Sequence, residues 1–231
     1  MKKIFTSLLL AFFAFAVSAE EQTLSQRANQ AMDPAQNTPK ILDGRAVFNC
    51  SLQAVSASVD ADGLKISSTS VSEGVGEFYI GVSAVGREKG MQDTRAEKGK
   101  LETDGKLVRL SRSLITEEFS VSADGVRQDF IVTSRPEGDG PLLLNLEVSG
   151  AKVSTSGGRL LITLPSGRQL AYSRLNVTDA SGRKLNASMA PLSQGSIGIS
   201  VYDGDAKYPI RIDPTISDAD WEIMNSEISG A

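Results

Sequence analysis

Apolar and polar residues alternate in short runs from Ile41 onward. Leu64 and Ile66 share a parity, as do Phe78, Ile80 and Val82, then Phe119 and Val121, then Leu142, Leu144, Leu146 and Val148. Period two marks a strand with one buried and one wet face. Leu170 and Tyr172, then Leu175 and Val177, extend the pattern. Between the runs recur Asp62-Gly63, Asp104-Gly105, Asp124-Gly125, Gly157-Gly158, Ser166-Gly167, Ser181-Gly182 and Asp203-Gly204. Such pairs tolerate the positive φ of tight turns, so each predicts a reversal. The pattern predicts an all-β fold, an antiparallel β-sandwich over residues 41–216.

Near the end, SIGISVYD (196–203) and KYPIRIDP (207–214) read as two half-buried strands, with Asp203-Gly204-Asp205 as their hairpin turn. Pro209 inside the second strand predicts an edge position, and Pro214 predicts its end. SRPEGDGP (134–141) is the strongest internal break, either a long loop or a division into two small β units. GREKGMQDTRAEKGK (86–100) reads as an exposed charged loop. Residues 20–40 read as a flexible linker with one short helix around Leu24 to Ala31, and residues 217–231 as an acidic tail.

The first 19 residues change the picture. Lys2 and Lys3 precede an apolar run, and Val17-Ser18-Ala19 offers the small residues of a signal-peptidase site, so cleavage is expected between Ala19 and Glu20. The run is short for a membrane span and carries Thr6 and Ser7, and no second such run follows. The expected locations are extracellular, cell-surface or periplasmic.

The 24 basic and 28 acidic side chains give a net charge of −4, and loss of Lys2 and Lys3 makes the mature chain more acidic. That argues against nucleic acid as a partner. With no histidine, Ser-His-Asp and imidazole-metal sites are excluded, and Cys50 as the only cysteine excludes an internal disulfide. Cys50 reads as a small buried residue. Asp60 and Asp62, and Asp203 and Asp205, put paired carboxylates on turns, part of what a calcium loop needs, while Asp in turns also bonds its own backbone. Asp213, Asp218 and Asp220 read as solvated. Glu117 and Glu118 are adjacent on a strand and must face opposite ways. The tyrosines read as sheet packing with hydroxyls at the rim.

GVRQDFIV (125–132), ITLPSGRQLAYSRLNVTDASGRKL (162–185) and ISVYDGDAKYPIRIDPTISDADW (199–221) together resemble the N-terminal leader module of large secreted bacterial repeat or β-propeller surface proteins. Tyr208, Pro209, Ile212, Asp213 and Pro214 carry the likeness, with Trp221 entering the next segment. The resemblance implies no catalytic residue and no cofactor. It implies a domain boundary after Pro214 and a repeat array after Trp221, which this chain lacks, so the chain reads as cut short before that array. The expected function is a non-enzymatic scaffold, spacer or adhesion-type module whose partners are other surface proteins or glycans. A glycan- or calcium-binding module is the alternative, and a secreted hydrolase stands third.

Overall fold

The structure, a computed structural model, describes residues 24–31, 38–72, 76–157 and 159–221. Turn chemistry acts locally, and five of the predicted turns close hairpins where it places them. Residues 60–63 join β3 (Val55–Val59) to β4 (Leu64–Ser68), with Asp60 Oδ1 accepting the Asp62 N–H at 2.9 Å. Gly105, at φ 58°, reverses β7 (Lys100–Asp104) into β8 (Leu107–Ser111). Residues 123–124 link β9 (Ile115–Ser122) to β10 (Gly125–Val132). The hairpin β12 (Lys152–Ser156) with β13 (Arg159–Thr163) follows, and β13 turns at Ser166-Gly167 into β14 (Gln169–Thr178).

Two antiparallel sheets result. The first adds β1 (Lys40–Leu42), β2 (Arg45–Cys50), β5 (Glu77–Gly86), β11 (Leu142–Ser149), β15 (Ala187–Ser193) and β16 (Ser196–Val201), in the order β1-β2-β3-β4-β5-β11-β16-β15. The two-residue strand β6 (Gln92–Asp93) also pairs with β5. The second sheet adds β17 (Ile210–Asp218) and runs β12-β13-β14-β17-β10-β9-β8-β7. Phe48, Phe78 and Leu144 from the first sheet share one core with Phe119, Phe130 and Ile212 from the second. Burying each such side chain contributes about 1.5–3 kcal/mol against the entropy of ordering it. The fold is an all-β sandwich.

Residues 134–141 carry the chain from β10 in the second sheet to β11 in the first. Since β5 pairs with β11 and β10 with β17, both halves of the chain supply both sheets. The segment is therefore a crossover within one body.

The expected terminal hairpin does not form. β16 pairs with β11 and β15, whereas β17 pairs with β10 and β14, so residues 202–209 cross between the sheets. β17 lies in the interior of its sheet, which corrects the edge assignment. Pro209 precedes the strand, after a cis peptide bond from Tyr208. Pro214 does not end it. The β14 register shifts between Ser173 and Asn176, so Pro214, between the paired Asp213 and Thr215, faces a bulge where its missing N–H costs no ladder bond. The same bulge, with Arg174 at φ 56°, explains why the apolar parity switches between Tyr172 and Leu175.

The expected helix is present as α1 (Leu24–Ala31). Its Asn29 Oδ1 accepts the Ala123 N–H at 2.8 Å, so this part of the linker is docked on the sandwich. The expected signal peptide and its Ala19/Glu20 cleavage point lie outside the described residues, and no described helix is long and apolar enough to cross a membrane.

Candidate functional site

The crossover from β16 to β17 builds a buried polar cluster. Val201 ends β16 facing the core, and the chain then turns Asp203 inward, where it is 1% exposed. Arg87 follows Gly86 at the end of β5 and is 2% exposed, although the sequence placed it in a solvated loop. Its Nη1 and Nη2 donate to the two Asp203 carboxylate oxygens at 2.6 and 2.7 Å. Tyr208 O–H donates to Asp203 Oδ2 at 2.6 Å, and Arg135 Nη2 donates to the Asp203 carbonyl at 2.6 Å. The Arg135 guanidinium also sits 5.4 Å from the centre of the Tyr208 ring. Arg87 Nη1 further donates to the Gly140 carbonyl at 2.9 Å, which fastens the 134–141 crossover to the same point.

Burial by itself would raise the Asp203 carboxyl, but hydrogen bonds from Arg87 and Tyr208 outweigh it and hold the group at about 2. Burial, then the bond to Asp203, pushes the Tyr208 hydroxyl up. A cleft of about 570 Å³ lies above, lined by residues 87–90 and 137–140. Both Asp203 oxygens and both terminal nitrogens of Arg87 are already engaged, so the cluster chemically resembles a clamp more than a reacting site. Tyr208, one of the residues that carry the resemblance, and Asp203, expected in a hairpin turn, are thus inter-sheet fasteners.

The calcium candidates are not brought together. Asp60 braces its own turn, and Asp62 pairs with Lys98. Asp203 is buried against Arg87, while Asp205 is exposed and takes Arg183 Nη1 at 2.9 Å. Among the described residues, no three Asp, Glu or Cys side chains gather to hold a metal ion. Asp213 and Asp218 are strand residues rather than solvated tail: Asp213 pairs with Arg127, and Asp218 with Arg168 at 3.0 Å. Asp220 is exposed, its N–H donating to Asp218 Oδ1.

Sequence reasoning missed Asp179. Its Oδ1 accepts Ser181 Oγ–H at 2.6 Å and the Ser181 N–H at 2.9 Å, and Oδ2 accepts the Lys207 N–H at 3.2 Å. These bonds, Ser181's hydroxyl foremost, depress its carboxyl. The Asp preceding a Ser-Gly pair was the available signal.

Glu117 and Glu118 do face opposite ways. Glu117 is buried between the sheets with Arg112, and its Oε2 accepts from Gln128 Nε2 at 2.9 Å. Tyr172 is wholly buried and donates to Gln128 Oε1 at 3.1 Å, which corrects the expected rim position for its hydroxyl. Cys50 is buried, donates to the Ser122 carbonyl at 3.3 Å, and has its thiol pushed up to about 11 by burial. An unreactive packing residue fits that setting. No protein-family model matches the chain, and comparison with curated proteins gives no match.

Proposed function

We propose that this chain is an exported, non-enzymatic β-sandwich module of a bacterial extracellular or cell-surface protein, acting as a scaffold. Export rests on residues 1–19, and the surface setting on the resemblance carried by residues 125–221. The single observation that favours a scaffold is the shared anchor of the two flanks. Trp221 Nε1 donates to Asp124 Oδ1 at 3.3 Å, Arg174 Nη1 pairs with Asp124 at 2.8 Å, and the adjoining Ala123 N–H donates to Asn29 Oδ1 of α1. One turn therefore fastens the segments entering and leaving the sandwich. That suits a body holding adjoining segments side by side, and suits an in-line spacer less well.

Fractionation of cells producing the full chain tests this reading. The expected product begins at Glu20 and is found in the medium or accessible to protease on intact cells. Retention of an uncleaved chain in the cytoplasm overturns export. Turnover of p-nitrophenyl ester or glycoside substrates by purified protein overturns the non-enzymatic role.

A further inference from the structure

On the outer face of the first sheet, Tyr79 of β5 lies along its own strand. Side chains two apart on a strand share a face, so Tyr79, Gly81 and Ser83 all point outward. A methyl group on Gly63 or on Gly81 would collide with the distal end of the Tyr79 ring, so the ring rests over two positions without side chains. Its hydroxyl donates to the Asp62 carbonyl, which pins it there. Tyr79 remains half-buried, leaving part of the ring open to solvent.

Beside the ring is a cleft of about 280 Å³ lined by Asp62, Tyr79, Gly81, Thr94, Arg95 and Glu147, among others. Glu147 of β11 pairs directly with Gly81, so its neighbour across the strands offers backbone alone. Its exposed carboxylate makes no ion pair among the described residues. Arg95, which also lines the cleft, is exposed and held by Asp93 with Nε at 3.1 Å. The buried Thr94 is fixed by its bond to the Val82 carbonyl at 2.8 Å. The site thus combines a pinned aromatic surface, a bare peptide floor, an unspent acceptor and a positioned donor.

We propose that this cleft binds one ring of a neutral oligosaccharide. The C–H face of a pyranose packs on the open part of the Tyr79 ring, and its hydroxyls reach the Glu147 carboxylate as donors and the Arg95 guanidinium as acceptors. The volume, near the lower end of ligand-sized clefts at roughly 300 Å³, matches a single ring of a longer chain. Neutral sugar suits the walls because the arginines lining the cleft, Arg95 and Arg112, are already paired with carboxylates, which leaves no free cation for an anionic ligand. The inference deepens the exported-module reading, since it gives that module an extracellular polymer to hold.

The test is saturation-transfer NMR on the mature chain with cellopentaose, chitopentaose, maltopentaose and mannopentaose as probes. At least one is expected to bind, with affinity lowered tenfold or more in Tyr79→Ala and in Glu147→Ala and kept in Tyr79→Phe. Glu147 is exposed, so its variant decides the matter should Tyr79→Ala fail to fold. No transfer to any of the four sugars, or transfer unchanged in Glu147→Ala, overturns the site. Either result leaves the scaffold reading intact, because that reading falls only with export or with catalysis.

Discussion

Glu117 and Glu118 are neighbours on β9, yet they live in different media. Glu117 points between the sheets, is wholly buried, and has one arginine, Arg112, with Gln128 beside it. Burial wins there and pushes its carboxyl up despite both partners. Glu118 points outward and has two arginines, Arg109 at 2.7 Å and Arg211 at 2.8 Å. Burial again opposes ionisation, but the two guanidiniums prevail and hold it below the usual range. The outer pairs continue across strands, with Arg211 also on Asp129, and Arg127 shared between Asp129 and Asp213. Glu117 thus depends on one cation, whereas Glu118 shares two, and the balance of burial against pairing changes sign between neighbours.

The largest effect should come from breaking an inner pair. Arg112→Ala leaves Glu117 buried without its cation and should cost about 3–5 kcal/mol in urea unfolding, while Arg112→Met with Glu117→Leu should recover most of that. A loss below about 1 kcal/mol would show that the interior is wetter than its burial implies.

Acid titration tests the same balance at two further carboxylates, where the inner one is lowered and the outer one raised. Asp203, held at about 2, supports the fold above the unfolded carboxyl range. That support, on the order of 2 kcal/mol, should be lost as pH falls from about 4 towards 2, and Asp203→Asn should abolish the change. Asp129 is the reverse case, raised to about 6 by burial first and by Asp213 next. Its native form keeps a proton that the unfolded chain releases, so its contribution is full below about 4 and lost as pH rises through about 6. Asp129→Asn should flatten stability between those values, and an unchanged slope would sink the assignment.

A smaller loss is expected on the outer face alone. Arg211→Ala should cost roughly 0.2–1 kcal/mol per pair broken, and the loss should shrink in high salt. The smallest effect belongs to the flank anchor. Asp124→Ala removes one partner of Trp221, the only tryptophan, so its emission should move to the red with a stability change within about 0.5 kcal/mol. Emission that stays put would mean the indole is held by something other than Asp124.

Much of the fold was legible where the physics is local. Asp-Gly and Ser-Gly pairs need neighbouring backbone alone, and the hairpins at 60–63, 105–106 and 123–124 form where those pairs stand. The parity switch after Tyr172 already recorded the β14 bulge, although nothing in the string said that Pro214 would sit opposite it. Arg87 was hidden by its neighbours Glu88 and Lys89, since a charged run carries no mark of which member turns inward. Tyr79 looked like ordinary sheet packing, because the bare positions at Gly63 and Gly81 meet only once β4 and β5 pair.

By itself the sequence determined the all-β class, many of the strands with their buried parity, most of the tight turns and the absence of histidine and disulfide chemistry. It could do so because alternation and turn preference act over a few residues. Only the tertiary structure decided which sheet each strand joined, that β17 lies inside its sheet, and that Asp203 and Tyr208 clamp a crossover instead of closing a hairpin. Those outcomes depend on partners such as Arg87, 116 positions away from Asp203. Period two says that a face is buried; it does not say against what.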